Sequence, residues 1–145
     1  MKILLASDSH GNNLALEKIA LKHPDMDYYL HLGDSESDEF MIKPFISVRG
    51  NNDYGYDFND YLIIPTPIGN IFACHYPNIS KNELDKHNTK FFIHGHTHVR
   101  KHELAGNLVK INPGAISYPR DTHYLSYAIL TIYSDSYEII FYELE

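Results

Sequence analysis

The chain holds a single cysteine among 145 residues, no block of basic residues and no apolar run of membrane-spanning length. Each shortage closes off a class of protein. Cys74 alone can form no internal disulfide and no cysteine-built zinc site, and its place in Ile71-Phe72-Ala73-Cys74 reads as a buried, inert thiol. A net charge of -7 without a basic patch argues against stable nucleic-acid binding by phosphate neutralisation. Too few apolar residues precede Asp8 for a signal peptide, so a cytoplasmic, reducing setting with no membrane association is expected. No repeat, linker or low-complexity segment interrupts the chain. It reads as a single domain over residues 1–145, long enough to bury its own core.

What the chain does have is aspartate, histidine and asparagine crowded into short segments. These are Asp8-Ser9-His10-Gly11, Gly33-Asp34, Gly50-Asn51-Asn52-Asp53 and Gly95-His96-Thr97-His98, with His75 between the last two. Of ten histidines, His10, His75, His94, His96 and His98 fall in or beside these segments. His23, His31, His87, His102 and His123 lie elsewhere and read as surface or satisfied core histidines.

Hydrophobic patterning places the segments at strand ends. Residues 2–7 read as a buried strand, followed by a helix capped at Asn12 or Asn13 and stopped by Pro24. Residues 28–32 form a second strand, Ser35 caps a helix over residues 36–42, and residues 45–49 form a third strand. This β-α-β-α-β order predicts a layered α/β fold with a parallel sheet. Further on, residues 61–64 and 71–74 pair around a turn, Ser80 caps a helix over residues 81–87, and residues 90–93 run into Gly95-His96. Two more hairpins follow, 99–104 with 108–112 and 124–133 with 137–144. Two mixed sheets packed face to face, with helices outside, satisfy this order.

Asp8 and His10, two apart in extended backbone, would project to one side and reach one cation. Asp34 follows the neighbouring strand, where ligands gather in open α/β sheets. Its two oxygens suit a bridge between ions about 3.5–4 Å apart. Asn51 offers a neutral oxygen ligand and an NH₂ for a substrate oxygen. His96 and His98 repeat the two-residue spacing after Gly95, which permits close backbone approach. Taken singly, each segment has another reading: a helix-capping Asp, a turn, a surface His. The combination decides. Asp8, His10, Asp34, Asn51, His75, His96 and His98 come from five segments, each at a strand end. With Asp34 shared, each of two divalent ions receives four protein ligands and keeps positions for water and substrate. Nitrogen and oxygen ligands without thiolate suit Mn²⁺, Fe²⁺, Zn²⁺, Co²⁺ or Ni²⁺ over Mg²⁺ or Ca²⁺, with Mn²⁺ the first choice. Bound cations also reconcile an acidic chain with a small phosphate-ester substrate.

On these residues the chain resembles the calcineurin-like metallophosphoesterases, above all their small, single-domain phosphodiesterase-type members of bacteria and archaea. The resemblance runs from Asp8 to Asn112-Pro113-Gly114-Ala115. It implies a four-layer α/β/β/α sandwich of two mixed sheets with a dinuclear centre. Asp8, His10 and His98 would hold one metal, Asn51, His75 and His96 the other, and Asp34 would bridge. It further implies in-line attack on phosphorus by a metal-bridging hydroxide, with Asn51 steadying the equatorial oxygens. Arg120 would clamp a phosphate oxygen. Asp53 reads as a support for a ligand imidazole, a weak acid or a solvated turn carboxylate.

Many relatives carry His where this chain has Asn52, and the small members carry Cys followed by Asp. Without a dedicated acid for the leaving group, phosphodiesters with activated or strained leaving groups are the expected substrates. Tyr76 stands where relatives commonly have Gly and would narrow the pocket or touch a substrate base. Short loops between Asp34 and Gly50 and between His75 and Gly95 predict an open site with little built-in recognition. Two other readings compete. One is a phosphomonoesterase of the same fold. The other is a non-catalytic scaffold like a eukaryotic protein-sorting coat subunit that shares the fold, against which stands the filled set of ligand positions. Tyr54-Gly55-Tyr56 and the last hairpin offer a surface for a homo-oligomer.

Overall fold

The structure is a computed structural model that describes residues 1–144. In chain order the elements are β1 (Lys2–Ala6), α1 (Asn13–Lys22), β2 (Tyr28–His31), β3 (Ile46–Ser47), β4 (Tyr61–Thr66), β5 (Gly69–Cys74), α2 (Lys81–Lys86), β6 (Thr89–Ile93), β7 (Lys101–Ala105), β8 (Leu108–Asn112), β9 (Leu125–Ile132) and β10 (Tyr137–Leu144). They form two five-stranded mixed sheets, ordered β10-β9-β1-β2-β3 and β4-β5-β6-β8-β7. Parallel pairing joins β1 to β2, β2 to β3, β5 to β6 and β6 to β8, and the pairs β1–β9, β9–β10, β4–β5 and β7–β8 are antiparallel.

Alternation along each strand explains the layering. Ile3, Leu5, Leu30, Ala128 and Leu130 of the first sheet face Ile71, Ala73, Phe91, Ile93, Val109 and Ile111 of the second in one buried core. The opposite face of the first sheet, through Leu4, Ala6, Tyr127 and Ile129, is covered by Ala15, Leu16, Ile19 and Ala20 of α1. Leu84 of α2 covers Phe72, Cys74 and Phe92 on the far side of the second sheet. Central strands covered on both sides are apolar wherever they are buried, as β1 is from Ile3 to Ala6. The four-layer α/β/β/α sandwich follows. Cys74 is buried as expected, and burial pushes its thiol up to about 12.

Asn12 caps α1 by accepting from the Ala15 amide, and Ser80 caps α2 by accepting from Glu83. Two expectations need correction. The helix expected over residues 36–42 shrinks to one 3₁₀ turn, Glu39–Ile42, because Glu36 adopts a left-handed backbone (φ +56°) and Ser35 bonds within its own loop instead of capping. The third strand is only two residues long, with Val48 continuing as an isolated bridge to Asn59. The β4–β5 strands also run two residues further towards each other than expected. Pro65 is accommodated because β4 is an edge strand.

Candidate metal centre

The parallel strands of both sheets end at the same rim, and their loops are interlaced by backbone bonds. The Asp8 amide donates to Gly33 O, His10 to Asp34 O, Gly95 to His75 O, and Arg120 to His98 O, at 2.9–3.0 Å. Asp8, His10, Asp34, His96 and His98 all adopt positive φ, between +46° and +72°. The premise of extended backbone at Asp8–His10 and His96–His98 is therefore wrong. The side chains converge because left-handed residues turn the chain back after β1, β2 and β6. Such backbone costs roughly 1–2 kcal/mol per non-glycine residue, so its concentration here marks a functional site. Gly95 is required by contact: a Cβ there would strike Ser7 Oγ.

The seven expected ligands meet at this rim. Asp8, Asp34, His75 and His98 are buried, His10 is half-buried, and Asn51 and His96 are exposed. His75 Nε2 lies 2.9 Å from Asn51 Oδ1, 3.2 Å from His96 Nδ1, 3.5 Å from Asp34 Oδ2 and 3.9 Å from Asp8 Oδ1. His98 Nε2 is 3.4 Å from Asp8 Oδ1, and His10 Nε2 is 4.0 Å from Asp34 Oδ2. Asp8, His10 and His98 form one tight group and Asp8, Asp34 and His75 another. Asp8 thus belongs to both, beyond the single role expected of it.

The far side of each ring fixes what the near side presents. His75 Nδ1 donates to Leu32 O at 2.7 Å, His98 Nδ1 to Tyr118 O at 2.9 Å, and His10 Nδ1 to the Glu36 carboxylate at 2.7 Å. Each Nε2 then offers a lone pair to a cluster of carboxylate and amide oxygens. Asp8 Oδ2 is already taken by Ser7 Oγ and the His96 amide, while Asp8 Oδ1 and His10 Nε2 are buried with no partner among the described residues. Lone pairs aimed at lone pairs call for a cation, and the donor set fits divalent metal ions.

The charges agree. Burial alone would raise Asp34, but the bonds from His75 and Asn52 prevail and hold its carboxyl well below the usual range. Asp8 behaves alike, burial being outweighed by His98, His75 and Ser7. His75 is pushed up, with burial opposed by Asp34, Asp8 and Leu32, and His98 is pushed up chiefly by the Asp8 carboxylate facing it. Burial, together with the charge of His75, lowers His96.

A family model, the calcineurin-like phosphoesterase superfamily domain, matches residues 1–135. A probable metallophosphoesterase of Bacillus subtilis, YsnB, is 32% identical over 99% of this chain and 91% of its own length. The chain belongs to the calcineurin-like phosphoesterase superfamily. Membership makes it a metal-dependent hydrolase of phosphoesters. Among solved structures, a predicted phosphoesterase of Streptococcus pneumoniae TIGR4 superposes with a TM-score of 0.86 at 27% identity, over 98% of this chain and 88% of that one. An archaeal phosphodiesterase shares the fold at 24% identity and a TM-score of 0.74, covering 98% of this chain and all of its own.

Residues around the superfamily site depart from expectation. Asp53 is neither solvated nor bonded to an imidazole. It is 2% exposed, and its oxygens accept from the backbone amides of Asp34, Gly50 and Glu36 at 2.7–2.8 Å. It pins the Asp34 and Asn51 loops together. Asn52 donates its amide and its side-chain Nδ2 to the two Asp34 oxygens, at 2.8 and 3.0 Å. Arg120 is exposed, and its guanidinium reaches only Thr97 O, 3.5 Å away. Sequence reasoning missed Glu36, which sits 26 residues from the His10 it orients. It also missed the part of Asn112, whose Nδ2 donates to Gly95 O and Thr97 Oγ1 and so holds the His96–His98 loop. His31, outside the motifs, is a satisfied core histidine: Nε2 faces Ser9 Oγ, Nδ1 accepts from the Gly33 amide, and burial lowers it to about 4. No helix among the described residues is long and apolar enough to cross a membrane.

Proposed function

We propose that the protein cleaves phosphodiesters, with Asp8, His10 and His98 holding one divalent ion, Asn51, His75 and His96 a second, and Asp34 shared between them. The observation that carries this reading is the convergence of His10, His75 and His98 Nε2 on the oxygens of Asp8, Asp34 and Asn51 while every Nδ1 is tied behind. Divalent ions bound there supply an acidified water as the source of the nucleophile and positive charge for the phosphoryl oxygens. Mn²⁺ is the ion we assign first, by ligand type.

The chain's own residues account for substrate choice. Asp34 is kept ionised by His75 and Asn52, ready to act as a ligand at any working pH. With its Oδ1 at His75, the Asn51 NH₂ is left to donate to an equatorial oxygen of the ester. Arg120, joined by its backbone to His98, can swing a guanidinium over the same oxygens. Neither Asn52 nor Asp53 is free to serve a departing alkoxide, since both are engaged by their neighbours. Diesters with good leaving groups need none.

The test compares bis(p-nitrophenyl) phosphate with p-nitrophenyl phosphate on Mn²⁺-loaded protein. The diester is turned over faster; equal or faster hydrolysis of the monoester overturns the diester assignment. Metal content of protein purified without chelator, taken together with the diester assay, separates an enzyme from a scaffold, which would not hydrolyse the diester.

A further inference from the structure

The site is less bare than its short loops suggest. A pocket of about 490 Å³ adjoins the ligand cluster, lined by Arg49, Asn51, Tyr54, Tyr56 and Tyr76, with the Gly50 and Gly55 backbones between them. It shares a wall with the metal centre, because Asn51 Oδ1 lies 2.9 Å from His75 Nε2. Tyr76 is the other common wall. Its ring centroid is 5.2 Å from that of His75 and 5.1 Å from that of His96. Its volume is that of a small-molecule site, more than a bare phosphate group fills.

The lining is specific in its chemistry. Tyr54 is 85% exposed and Tyr76 45%, so the Tyr54 ring and the part of Tyr76 turned away from His75 and His96 stand in water. Arg49 supplies a cation, steadied by a bond from Nη2 to Tyr56 O at 3.3 Å. Asp53, though in the wall, has both oxygens taken by amides and offers no free acceptor. An acyl chain would meet Arg49, Asn51 and tyrosine hydroxyls, which its desolvation disfavours. A flat heterocycle meets rings it can stack on and a guanidinium plane beside them. Asp57 and Asp60, exposed in the same stretch, repel a second phosphate.

We propose that this pocket takes the nucleoside of a mononucleotide ester, its base on Tyr54 and Tyr76 and its phosphate on the metal-ligand cluster. The assignment rests on the phosphoesterase reading and names that site's substrate class. Tyr54, Tyr76 and Arg49 are then its specificity residues.

The test is calorimetric titration of Mn²⁺-loaded protein with adenosine 5′-monophosphate and, separately, methyl phosphate. These two ligands share the phosphate and differ in the base and sugar. The nucleotide binds about 10-fold tighter or more. In Tyr54→Ala and Tyr76→Ala the ratio of the two affinities falls by about 5-fold or more, and Tyr76→Phe, which keeps the ring, restores most of it. Tyr54 touches no ligand, so its variant is free of the charge that the centre was disturbed. Equal affinities in the wild type, with methyl phosphate binding intact, overturn this proposal alone. If neither compound binds and methyl p-nitrophenyl phosphate is not hydrolysed, the phosphoesterase reading falls and takes this one with it.

Discussion

The two sheets bring different chemistry to one rim. The first ends in oxygen ligands, Asp8, Asp34 and Asn51, with His10 beside them. The second ends only in imidazoles, His75, His96 and His98. They are also anchored differently. The first sheet's loops are gripped by amide and carboxamide donors, as Asn52 grips Asp34 and the Asp34, Gly50 and Glu36 amides grip Asp53. The second sheet's rings are held from behind by carbonyls. Neither set is a site alone. The shared core that presses Leu30 and Ile3 against Ile71 and Phe91 is what brings the two sets together.

The hardest blow to that division is Asp34→Asn, which removes the charge both sets of ligands converge on. We expect hydrolysis to fall at least about 100-fold, with loss of metal by elemental analysis. Unchanged activity and metal content would end the dinuclear reading. A milder break leaves the ligands and removes their supports. Glu36→Gln frees the His10 ring and Asn52→Ala frees Asp34, and each weakens metal affinity or activity about 10–100-fold, measured by competition with a chelating dye.

Asp53→Asn asks how much of the first sheet's half is fold and how much is chemistry. An asparagine cannot accept all three amides, so unfolding by urea reports a loss of about 1–3 kcal/mol, larger than the loss at any exposed loop residue. Activity per folded molecule moves less than in Asp34→Asn.

The smallest effect contrasts one buried neutral imidazole in each sheet. His31 is satisfied on both nitrogens, whereas His94 donates to Gly95 O and leaves Nε2 without a partner among the described residues. Burial lowers each from 6.5 to about 4. Their folded values lie below their unfolded ones, so the unfolded chain takes up the extra protons. The stability they contribute is fully present above pH 6.5 and is lost as pH falls towards 4. His94→Gln therefore shows a shallower fall in stability between pH 6.5 and 4.5 than wild type, by roughly 2 kcal/mol. Parallel curves in chelator-treated protein would assign the acid sensitivity elsewhere.

The candidate ligands could be picked out because each sits just past an apolar run, and local pattern reports strand ends well. The layering followed from the same runs. What sequence could not supply is tertiary. Nothing at Glu36 announces a bond to His10, and nothing in Asn51-Asn52-Asp53 separates the ligand from the clamp and the pin. The aromatic pocket needs Tyr54 and Tyr76 brought together from loops on different sheets. Asp8 and His10 do come together, but not through the extended backbone that their two-residue spacing suggested, since propensity gives no hint of left-handed aspartate and histidine.

That handedness separates two kinds of fitness. At His96, exposed and at φ +72°, glycine would relax the loop and silence the enzyme in the same stroke. A saturation screen read out as cellular abundance will reward glycine at position 96, and one read out as turnover will reject it. The gap between those two scores measures how far natural selection has held this loop away from its own conformational optimum.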